Sequence, residues 1–247
     1  METENKIVLI TGANRGLGLE TARQLGKLQM TVLLSARNEV SAQAAVAQLK
    51  EEGIKAFFIP LDITDAASIA AAAKMVEDQF GQLDILVNNA VFFRRENQIP
   101  SQIPADLLQT YLQVNFVAQV SVTQAFLPLI RKSPAGRIVN MSSSIGSLGM
   151  MGDPNDSNLR RAKATPLGYS SSKAALNMFT VLLAKELKET PIKVNSADPG
   201  YTQTDMGGKD ATYTVEEGAK VAVWLACLDE QGPTGGFFTH HQKVNPW

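Results

Sequence analysis

The sequence predicts an α/β fold, a doubly wound Rossmann domain built around a central parallel sheet of about seven strands. Short apolar segments rich in β-branched residues alternate with longer segments whose apolar residues recur at helical spacing. The first apolar segment ends in a glycine-rich turn, Thr11–Gly18, that leads directly into a helix pattern. No internal repeat, low-complexity tract or linker interrupts the 247 residues, which we therefore interpret as one domain, 1–247.

The amino-acid composition restricts the classes of partner. Lys and Arg together number 23 and Asp and Glu 24, without a basic stripe, so we expect no nucleic-acid partner. The sequence has no run of 18 apolar residues and no leader-like N-terminus, which predicts a cytoplasmic protein that does not bind a membrane. The single cysteine, Cys227, excludes an internal disulfide framework, and its apolar neighbours indicate a buried helix thiol.

The alternation of strands and helices can be followed along the whole chain. The predicted strands are Lys6–Ile10, Thr31–Ser35, Ala56–Leu61, Asp84–Val87, Gly136–Met141, Ile192–Ser196 and Gly236–Thr239. The predicted helices are 19–28, Ala42–Glu52, Ala66–Phe80, Asp106–Arg131, Tyr169–Leu187 and Val215–Leu228. Thr64 or Asp65 is expected to cap the third helix, and Gly81 to end it.

The glycine-rich turn has the spacing Gly-x-x-x-Gly-x-Gly, with glycines at positions 12, 16 and 18. Between a strand and a helix, such glycines let the backbone approach a pyrophosphate, whose charge is stabilised at the helix N-terminus. The alternative is a plain strand-to-helix turn that uses glycine only for its geometry.

The end of the second predicted strand indicates which dinucleotide is bound. An acidic residue there would bind the free 2′-hydroxyl of NAD, but the sequence continues without a carboxylate as Ser35-Ala36-Arg37-Asn38. Arg37 and Arg15 are suited to a 2′-phosphate, so we predict NADP(H). The alternative for Arg37 is a solvated charge in a loop. The acidic Glu39, two residues later, argues against a phosphate at this place. Asp62 is a candidate acceptor for the adenine amino group or a loop residue.

Tyr169 and Lys173 provide acid–base chemistry at short spacing. Positions i and i+4 of a helix lie on one face, so the two side chains are predicted to point the same way. A lysine ammonium beside a phenol favours the phenolate and lowers the pKa of the phenol. A tyrosine in this environment is able to give or take a proton near neutral pH.

Four motifs in this order resemble those of the short-chain dehydrogenase/reductase family over nearly the whole chain. They are Thr11–Gly18, Asn88–Ala90, Tyr169-x-x-x-Lys173 and Pro199-Gly200. The NADPH-dependent carbonyl-reductase-like branch is the most similar. That judgement depends on the two arginines, the long segment before Tyr169 and the C-terminal sequence from Gly235 to Trp247.

The resemblance implies a set of site residues. The expected catalytic residues are Asn115, Ser143, Tyr169 and Lys173. Ser143 would polarise the substrate carbonyl, and Asn115 would bend its helix and support a proton relay through a water molecule. The alternative for Asn115 is a helix asparagine that packs against a strand and has no part in catalysis. The expected cofactor-binding residues are Gly12, Asn14, Arg15, Gly16, Leu17, Gly18, Arg37, Asp62, Ile63, Asn89, Ala90, Tyr169, Lys173, Pro199, Gly200, Thr202 and Thr204.

The sequence departs from the family pattern at two positions. Val91 replaces the usual glycine after Asn88-Asn89-Ala90, and Asp198 precedes Pro199. An insertion loop at about 150–166 is expected beside the active site, as a substrate lid or an element of subunit packing. A substrate loop is expected at about 201–213. The predicted mouth of the pocket, Phe92, Phe93, Tyr201 and Met206, suggests an apolar or aromatic substrate.

The predicted function is the NADPH-dependent reduction of a ketone or aldehyde, reversible as alcohol oxidation. One alternative is a non-catalytic NADP(H)-binding sensor or scaffold on the same fold, and another is epimerisation or dehydration at the same site. No metal is expected. His240 and His241 are adjacent, too close in sequence to face one site as a helical pair, and the tyrosine–lysine–serine set does the work of a metal Lewis acid. The resemblance also implies a homo-oligomer, a dimer or tetramer, with a monomer as the alternative, because the insertion before Tyr169 accompanies monomers in some relatives.

Overall fold

Seven parallel strands form one sheet in the order β3-β2-β1-β4-β5-β6-β7. The computed structural model of the chain describes residues 5–94, 98–153, 155 and 166–247. The strands are β1 Ile7–Thr11, β2 Thr31–Ala36, β3 Ala56–Pro60, β4 Ile85–Asn88, β5 Arg137–Met141, β6 Lys193–Asp198 and β7 Phe237–Thr239. Their residues are mostly buried, as expected for a parallel sheet covered on both faces. The predicted doubly wound sheet of seven strands is confirmed.

Helices cover both faces of the sheet. They are α1 Gly16–Lys27, α2 Glu39–Glu51, α3 Ala66–Phe80, α4 Ala105–Leu112, α5 Ala118–Ile130, α6 Leu148–Gly152, α7 Leu167–Glu186 and α8 Val215–Ala226. One apolar layer includes Leu25 of α1, Val46 of α2 and Leu225 of α8, and the other includes Ile69 of α3, Phe126 of α5 and Leu183 of α7. Among the described helices, none has the length and apolar character needed to cross a bilayer.

The central position of β1 determines where a ligand can bind. β1 pairs with β2 on one side, through Thr11 and Ser35, and with β4 on the other, through Ile10 and Val87. The chain therefore builds outward in opposite directions from β1, and the loops that follow β1 and β4 diverge. Ligands of doubly wound sheets bind in the crevice at this switch point.

Local side-chain contacts define several helix ends. Asp65 accepts a hydrogen bond from Ala67 N (2.9 Å) and so provides the N-cap of α3. Gly81 ends α3 with φ +76°, a left-handed conformation that favours glycine. Thr214 and Glu217 form a reciprocal capping box at the start of α8.

The predicted helix over Asp106–Arg131 is not one regular α-helix. A π-helical turn, Gln113–Val117, separates α4 from α5. Asn115 lies in this turn, and its side-chain amide binds the main chain of Phe92. Helical periodicity in the sequence does not reveal such a widened turn, whereas the resemblance implied an irregularity at Asn115.

Candidate active site

A cleft of about 1580 Å³ opens at the carboxyl ends of the central strands. Its volume exceeds the roughly 300–1,000 Å³ of an ordinary small-molecule site, so it has room for more than one ligand. Every residue that the sequence analysis assigned to cofactor binding or catalysis lines this cleft, except Asp62 and Asn115. The fold therefore brings residues from positions 12 to 204 together in one site.

Thr11 and Asn89 hold the glycine-rich turn against the end of β4. The Thr11 hydroxyl accepts hydrogen bonds from the main-chain N–H groups of Asn89 and Ala90, both at 2.9 Å. Asn89 Nδ2 donates to the carbonyl oxygens of Thr11 (2.8 Å) and Gly12 (3.2 Å). The Asn89 amide group thus supports the turn, a role that the sequence analysis did not assign to it or to Thr11.

Two glycines allow close contact of main chains in this turn. Gly12 has φ +63°, and a Cβ atom on it would lie 2.9 Å from Ala90 Cα. A Cβ atom on Gly18 would lie 2.5 Å from Asn89 Nδ2 and 2.8 Å from Gly12 O. The first turn of α1 therefore packs directly on the loop. The N–H groups at the start of a helix lack partners within the helix, so they are available for an anion in the cleft.

Arg15 and Arg37 both line the cleft but differ in their partners. Arg15 forms a salt bridge with Asp205, and both side chains are about three-quarters exposed. Arg37 forms neither a hydrogen bond nor a salt bridge with its guanidinium group in the part of the chain that the structure describes.

Asn14 anchors the glycine-rich turn to α2, because its Nδ2 donates a hydrogen bond to Ser41 Oγ at 3.0 Å.

Asp62 does not line the cleft, and the adenine contact expected for it stays a prediction. Its Oδ1 accepts hydrogen bonds from the main-chain N–H (2.9 Å) and the hydroxyl (2.7 Å) of Thr64. The side chain therefore closes a local turn, which is the loop alternative considered for it, whereas the neighbouring Ile63 lines the cleft.

Tyr169 and Lys173 lie on one face of α7, and both are nearly fully buried at the cleft. Lys173 Nζ lies 5.5 Å from the centroid of the Tyr169 ring and donates a hydrogen bond to Met141 O at 2.6 Å. Ser143 follows β5 and lines the same part of the cleft. The fold thus brings three of the four predicted catalytic side chains to one cleft.

Burial dominates the pKa values of this pair. It raises the pKa of the Tyr169 phenol above its ordinary value, the charge of Asp198 raises that pKa further, and hydrogen bonding with Ser143 opposes both effects. Burial lowers the pKa of Lys173 to about 7. The sequence analysis expected Lys173 to lower the pKa of Tyr169, but a buried phenol and a buried amine both favour their neutral forms. The Tyr169 phenol is therefore protonated at neutral pH.

Asn115 is fully buried and lies behind the cleft. Its Oδ1 accepts from Phe92 N (2.7 Å), while its Nδ2 donates to Phe92 O (3.0 Å) and Ser172 Oγ (3.2 Å). These contacts fix the segment that follows β4 against α7. The proton relay that the resemblance implies for Asn115 stays a prediction.

The two phenylalanines that follow Val91 have different environments. The Phe93 ring lines the cleft and meets the Tyr169 ring edge-on, with centroids 5.5 Å apart. The Phe92 ring instead packs against the Tyr111 ring, with centroids 5.0 Å apart. The sequence analysis expected Phe92 at the mouth of the cleft, but Phe92 does not line it. Val91 lines the cleft and is partly exposed.

Asp198 is a buried carboxylate at the end of β6. It accepts hydrogen bonds from Gly200 N and from Asn245 Nδ2, both at 3.1 Å. Burial raises the pKa of this carboxyl group, although the two hydrogen bonds oppose the rise. Asn245 also lines the cleft. The sequence analysis did not assign Asn245 a role, since nothing near it in the sequence indicates a partner 47 positions away.

The two predicted loops differ in how much the structure describes. The base of the 201–213 loop is closed by hydrogen bonds from Gln203 N to Tyr213 O (2.8 Å) and from Tyr213 N to Tyr201 O (2.9 Å). Met206 within this loop lines the cleft. Most of the predicted insertion loop, residues 154 and 156–165, lies outside the described residues.

His240 and His241 lie side by side, with ring centroids 3.9 Å apart. Among the described residues, no group of three or more His, Cys, Asp or Glu side chains is arranged to hold a metal ion. Burial lowers the pKa of His240, and the nearby His241 lowers it further.

The geometry of the glycine-rich turn and the Tyr169–Lys173 pair agrees with the comparisons to known proteins. A model of the short-chain dehydrogenase family matches residues 6–215. The chain belongs to the short-chain dehydrogenase family. This family member is 34% identical to carbonyl reductase (NADPH) 1 of Oryctolagus cuniculus, over 100% of both chains. It is 38% identical to the short-chain dehydrogenase anuI of Penicillium roqueforti, over 89% of this chain and 88% of that protein.

Solved structures of the family show the same fold. The crystal structure of NADPH-bound carbonyl reductase from chicken fatty liver aligns with a TM-score of 0.86 at 28% identity. The alignment covers 99% of this chain and 95% of that chain. The resemblance to carbonyl reductases predicted from the sequence is confirmed.

Proposed function

We propose that this member of the short-chain dehydrogenase family is an oxidoreductase that reduces a ketone or aldehyde to an alcohol with NADPH, and catalyses the reverse oxidation. The observation that carries the proposal is the position of Tyr169, Lys173 and Ser143 in the same cleft as the glycine-rich turn. A dinucleotide and a proton donor can therefore meet at one substrate.

The residues of the cleft fit NADPH by their chemistry. The first turn of α1 and the glycine-rich turn offer main-chain N–H groups to phosphates, and Gly12 and Gly18 leave no side chain in the way. Arg37 offers a guanidinium that is not engaged by any described residue through a hydrogen bond or salt bridge. Thr202 and Thr204 line the cleft at its other end, beside Pro199 and Gly200.

Reduction of a carbonyl group needs a hydride at carbon and a proton at oxygen. NADPH supplies the hydride when it is bound. The Tyr169 hydroxyl donates the proton to the carbonyl oxygen, and its raised pKa keeps that proton on the phenol at neutral pH until the charge on the oxygen develops. The Ser143 hydroxyl donates a hydrogen bond to the same oxygen and stabilises the negative charge that develops there.

Lys173 has two roles in this proposal. Its Nζ atom, fixed by Met141 O, would hold the cofactor ribose beside Tyr169. Its pKa of about 7 makes the amine able to carry a proton toward Tyr169 after each turnover. The walls formed by Phe93, Met150 and Met206 favour a substrate with an apolar or aromatic group next to the carbonyl.

Replacement of Tyr169 by Phe tests the mechanism. The variant removes only the hydroxyl that donates the proton, so kcat for carbonyl reduction should fall about 10²–10⁴-fold while NADPH still binds. Initial rates are followed by loss of reduced-nicotinamide absorbance with a panel of aryl ketones, keto esters and aldehydes. NADPH affinity is measured separately by fluorescence titration.

A matched control is Tyr201→Phe, which removes another hydroxyl at the same cleft. The Tyr201 hydroxyl donates to Gly207 O (2.7 Å), and Tyr201 is far less buried than Tyr169. Because Tyr201 lies at the predicted mouth of the pocket, we expect its loss to affect KM, while kcat stays within a few-fold of the wild type. A kcat for carbonyl reduction close to that of the wild type in Tyr169→Phe would contradict the mechanism. Tight NADPH binding by the wild type without turnover of any carbonyl would instead favour a sensor or scaffold.

A further inference from the structure

The helix that carries Tyr169 begins without a cap of its own. Pro166 occupies the N-cap position of α7 and makes no side-chain hydrogen bond to the helix. The first N–H groups of a helix have no partner within the helix, and Tyr169 is only the third residue of α7. A catalytic tyrosine in an uncapped first turn would be poorly fixed in position.

Gln98 supplies the missing partners from outside the helix. Its main-chain oxygen accepts a hydrogen bond from Leu167 N at 3.2 Å, and its side-chain Oε1 accepts one from Tyr169 N, also at 3.2 Å. One residue therefore satisfies two N–H groups of the first turn, including that of Tyr169. Gln98 is 6% exposed, so water does not readily replace it.

The Gln98 amide group is itself held on its other side. Its Nε2 donates to the Tyr111 hydroxyl at 2.8 Å and to Arg94 O at 3.2 Å. Tyr111 is fully buried, and its hydroxyl also donates to Arg94 O (3.1 Å) and accepts from Arg94 N (3.0 Å). The donor and acceptor ends of the amide thus each have a defined partner, which determines their orientation.

Ring packing adds a second constraint on the same turn. A Cβ atom at Gly168 would overlap the Tyr111 ring, so the first turn of α7 lies directly on that ring. Phe93 meets the Tyr169 ring edge-on from the segment that leads to Gln98. Tyr169 is therefore constrained through its ring by Phe93 and through its main chain by Gln98.

We infer that Gln98 is a positioning residue for Tyr169, which acts by capping the first turn of α7 and tying it to Tyr111. The inference rests on the proposed function for its effect on the reaction, but the capping itself is independent of it. Loss of the cap displaces the phenol relative to the substrate oxygen. A misplacement of about 1 Å can reduce a rate about 10²-fold.

The test compares Gln98→Leu, which keeps the approximate size and removes all side-chain hydrogen bonds, with Gln98→Glu, which keeps an acceptor for Tyr169 N. Gln109→Leu is the matched control, because Gln109 is an exposed glutamine of α4. Two quantities are measured: kinetics of carbonyl reduction with NADPH titration, and amide hydrogen exchange of the peptide that covers the first turn of α7.

We expect Gln98→Leu to lower kcat about 10–100-fold, while KM and NADPH affinity stay within about threefold. Amide hydrogens in the first turn of α7 should exchange faster in this variant than in the wild type. Gln98→Glu should recover part of the lost kcat and part of the lost exchange protection, and Gln109→Leu should change neither kcat nor exchange. Wild-type kcat in Gln98→Leu, or unchanged exchange in the first turn, would overturn the inference. If Gln98→Leu fails to fold, Gln98→Met, which also lacks the side-chain hydrogen bonds, replaces it, and the same results support or overturn the inference. If the wild type reduces no carbonyl, the proposed function fails while the exchange data still decide the capping role.

Discussion

Arg37 and Arg15 both line the cleft, and the sequence analysis predicts that both bind the 2′-phosphate of NADPH, but their surroundings differ. Arg15 already pairs with Asp205, so it must exchange that partner before it can bind a phosphate. The Arg37 guanidinium has no such partner in the described part of the chain, apart from an electrostatic attraction to Asp62. Arg37 is therefore expected to contribute more to the selection of NADPH.

Replacement of Arg37 by Ala should weaken NADPH binding about 10–100-fold, since a hydrogen bond to a charged group contributes about 1.5–3 kcal/mol. NADH lacks the 2′-phosphate, so its affinity should change less than twofold. Both dissociation constants are measured by fluorescence titration. Arg131→Ala, at an exposed arginine outside the cleft, is the control. Equal losses for the two nucleotides would mean that Arg37 shapes the loop rather than binding the phosphate.

At the level of helices and strands, most of the fold was predictable from the sequence. The helix Ala66–Phe80 was predicted with its observed bounds, because Asp65 and Gly81 are local signals at its two ends. The helix predicted over Asp106–Arg131 was the exception. Its widened turn accompanies a contact between Asn115 and Phe92, 23 positions away, which no local pattern reports.

The close packing of α1 on the glycine-rich turn can be tested at Gly18. A Cβ atom there would lie within 3 Å of Gly12 O and Ala13 Cα, so Gly18→Ala must push the helix away from the turn. We expect NADPH affinity to fall at least about tenfold, with the larger part of the loss in the phosphate contacts. Calorimetric titration with NADPH measures the effect.

Gly152→Ala is the matched control for this substitution, because no atom lies within 4 Å of a Cβ atom at that position. It should leave the affinity for NADPH unchanged within about twofold. If Gly18→Ala binds NADPH as tightly as the wild type, then the turn adapts to the extra methyl group, and close packing is not what the glycine provides.

At the scale of the whole molecule, the cleft residues were predictable as a set, but their electrostatics were not. The one-face spacing of Tyr169 and Lys173 follows from helix geometry alone. Burial by the fold shifts both pKa values, and the charge of Asp198, at the end of β6, raises that of Tyr169 further. Gln98 and Tyr169 are 71 positions apart, so their hydrogen bond is likewise a product of tertiary structure.

The burial of Lys173 has a consequence for the stability of the whole protein. Its pKa is about 7 in the folded chain, below the 10.5 of an exposed lysine. Between these values the unfolded chain binds more protons, so the free energy of unfolding contributed by this residue rises with pH. The destabilisation is largest below about pH 7, where it amounts to a few kcal/mol, and it disappears as the pH approaches 10.5. The proposed role of Lys173 in proton transfer gives a reason for the site to retain a destabilising amine.

Replacement of Lys173 by Met removes the titrating group while keeping an unbranched side chain of similar length. The difference in unfolding free energy between wild type and Lys173→Met, measured by urea denaturation without cofactor, should therefore change with pH. Between pH 7.5 and 9.5 the unfolding free energy of the wild type should rise relative to that of the variant. The slope of this difference against pH should approach about 1.4 kcal/mol per pH unit. Lys185→Met replaces an exposed lysine of the same helix and should give a difference that is flat with pH. A flat difference for Lys173→Met as well would show that the buried amine stays charged in the folded protein, and its proposed part in proton transfer would then have to be abandoned.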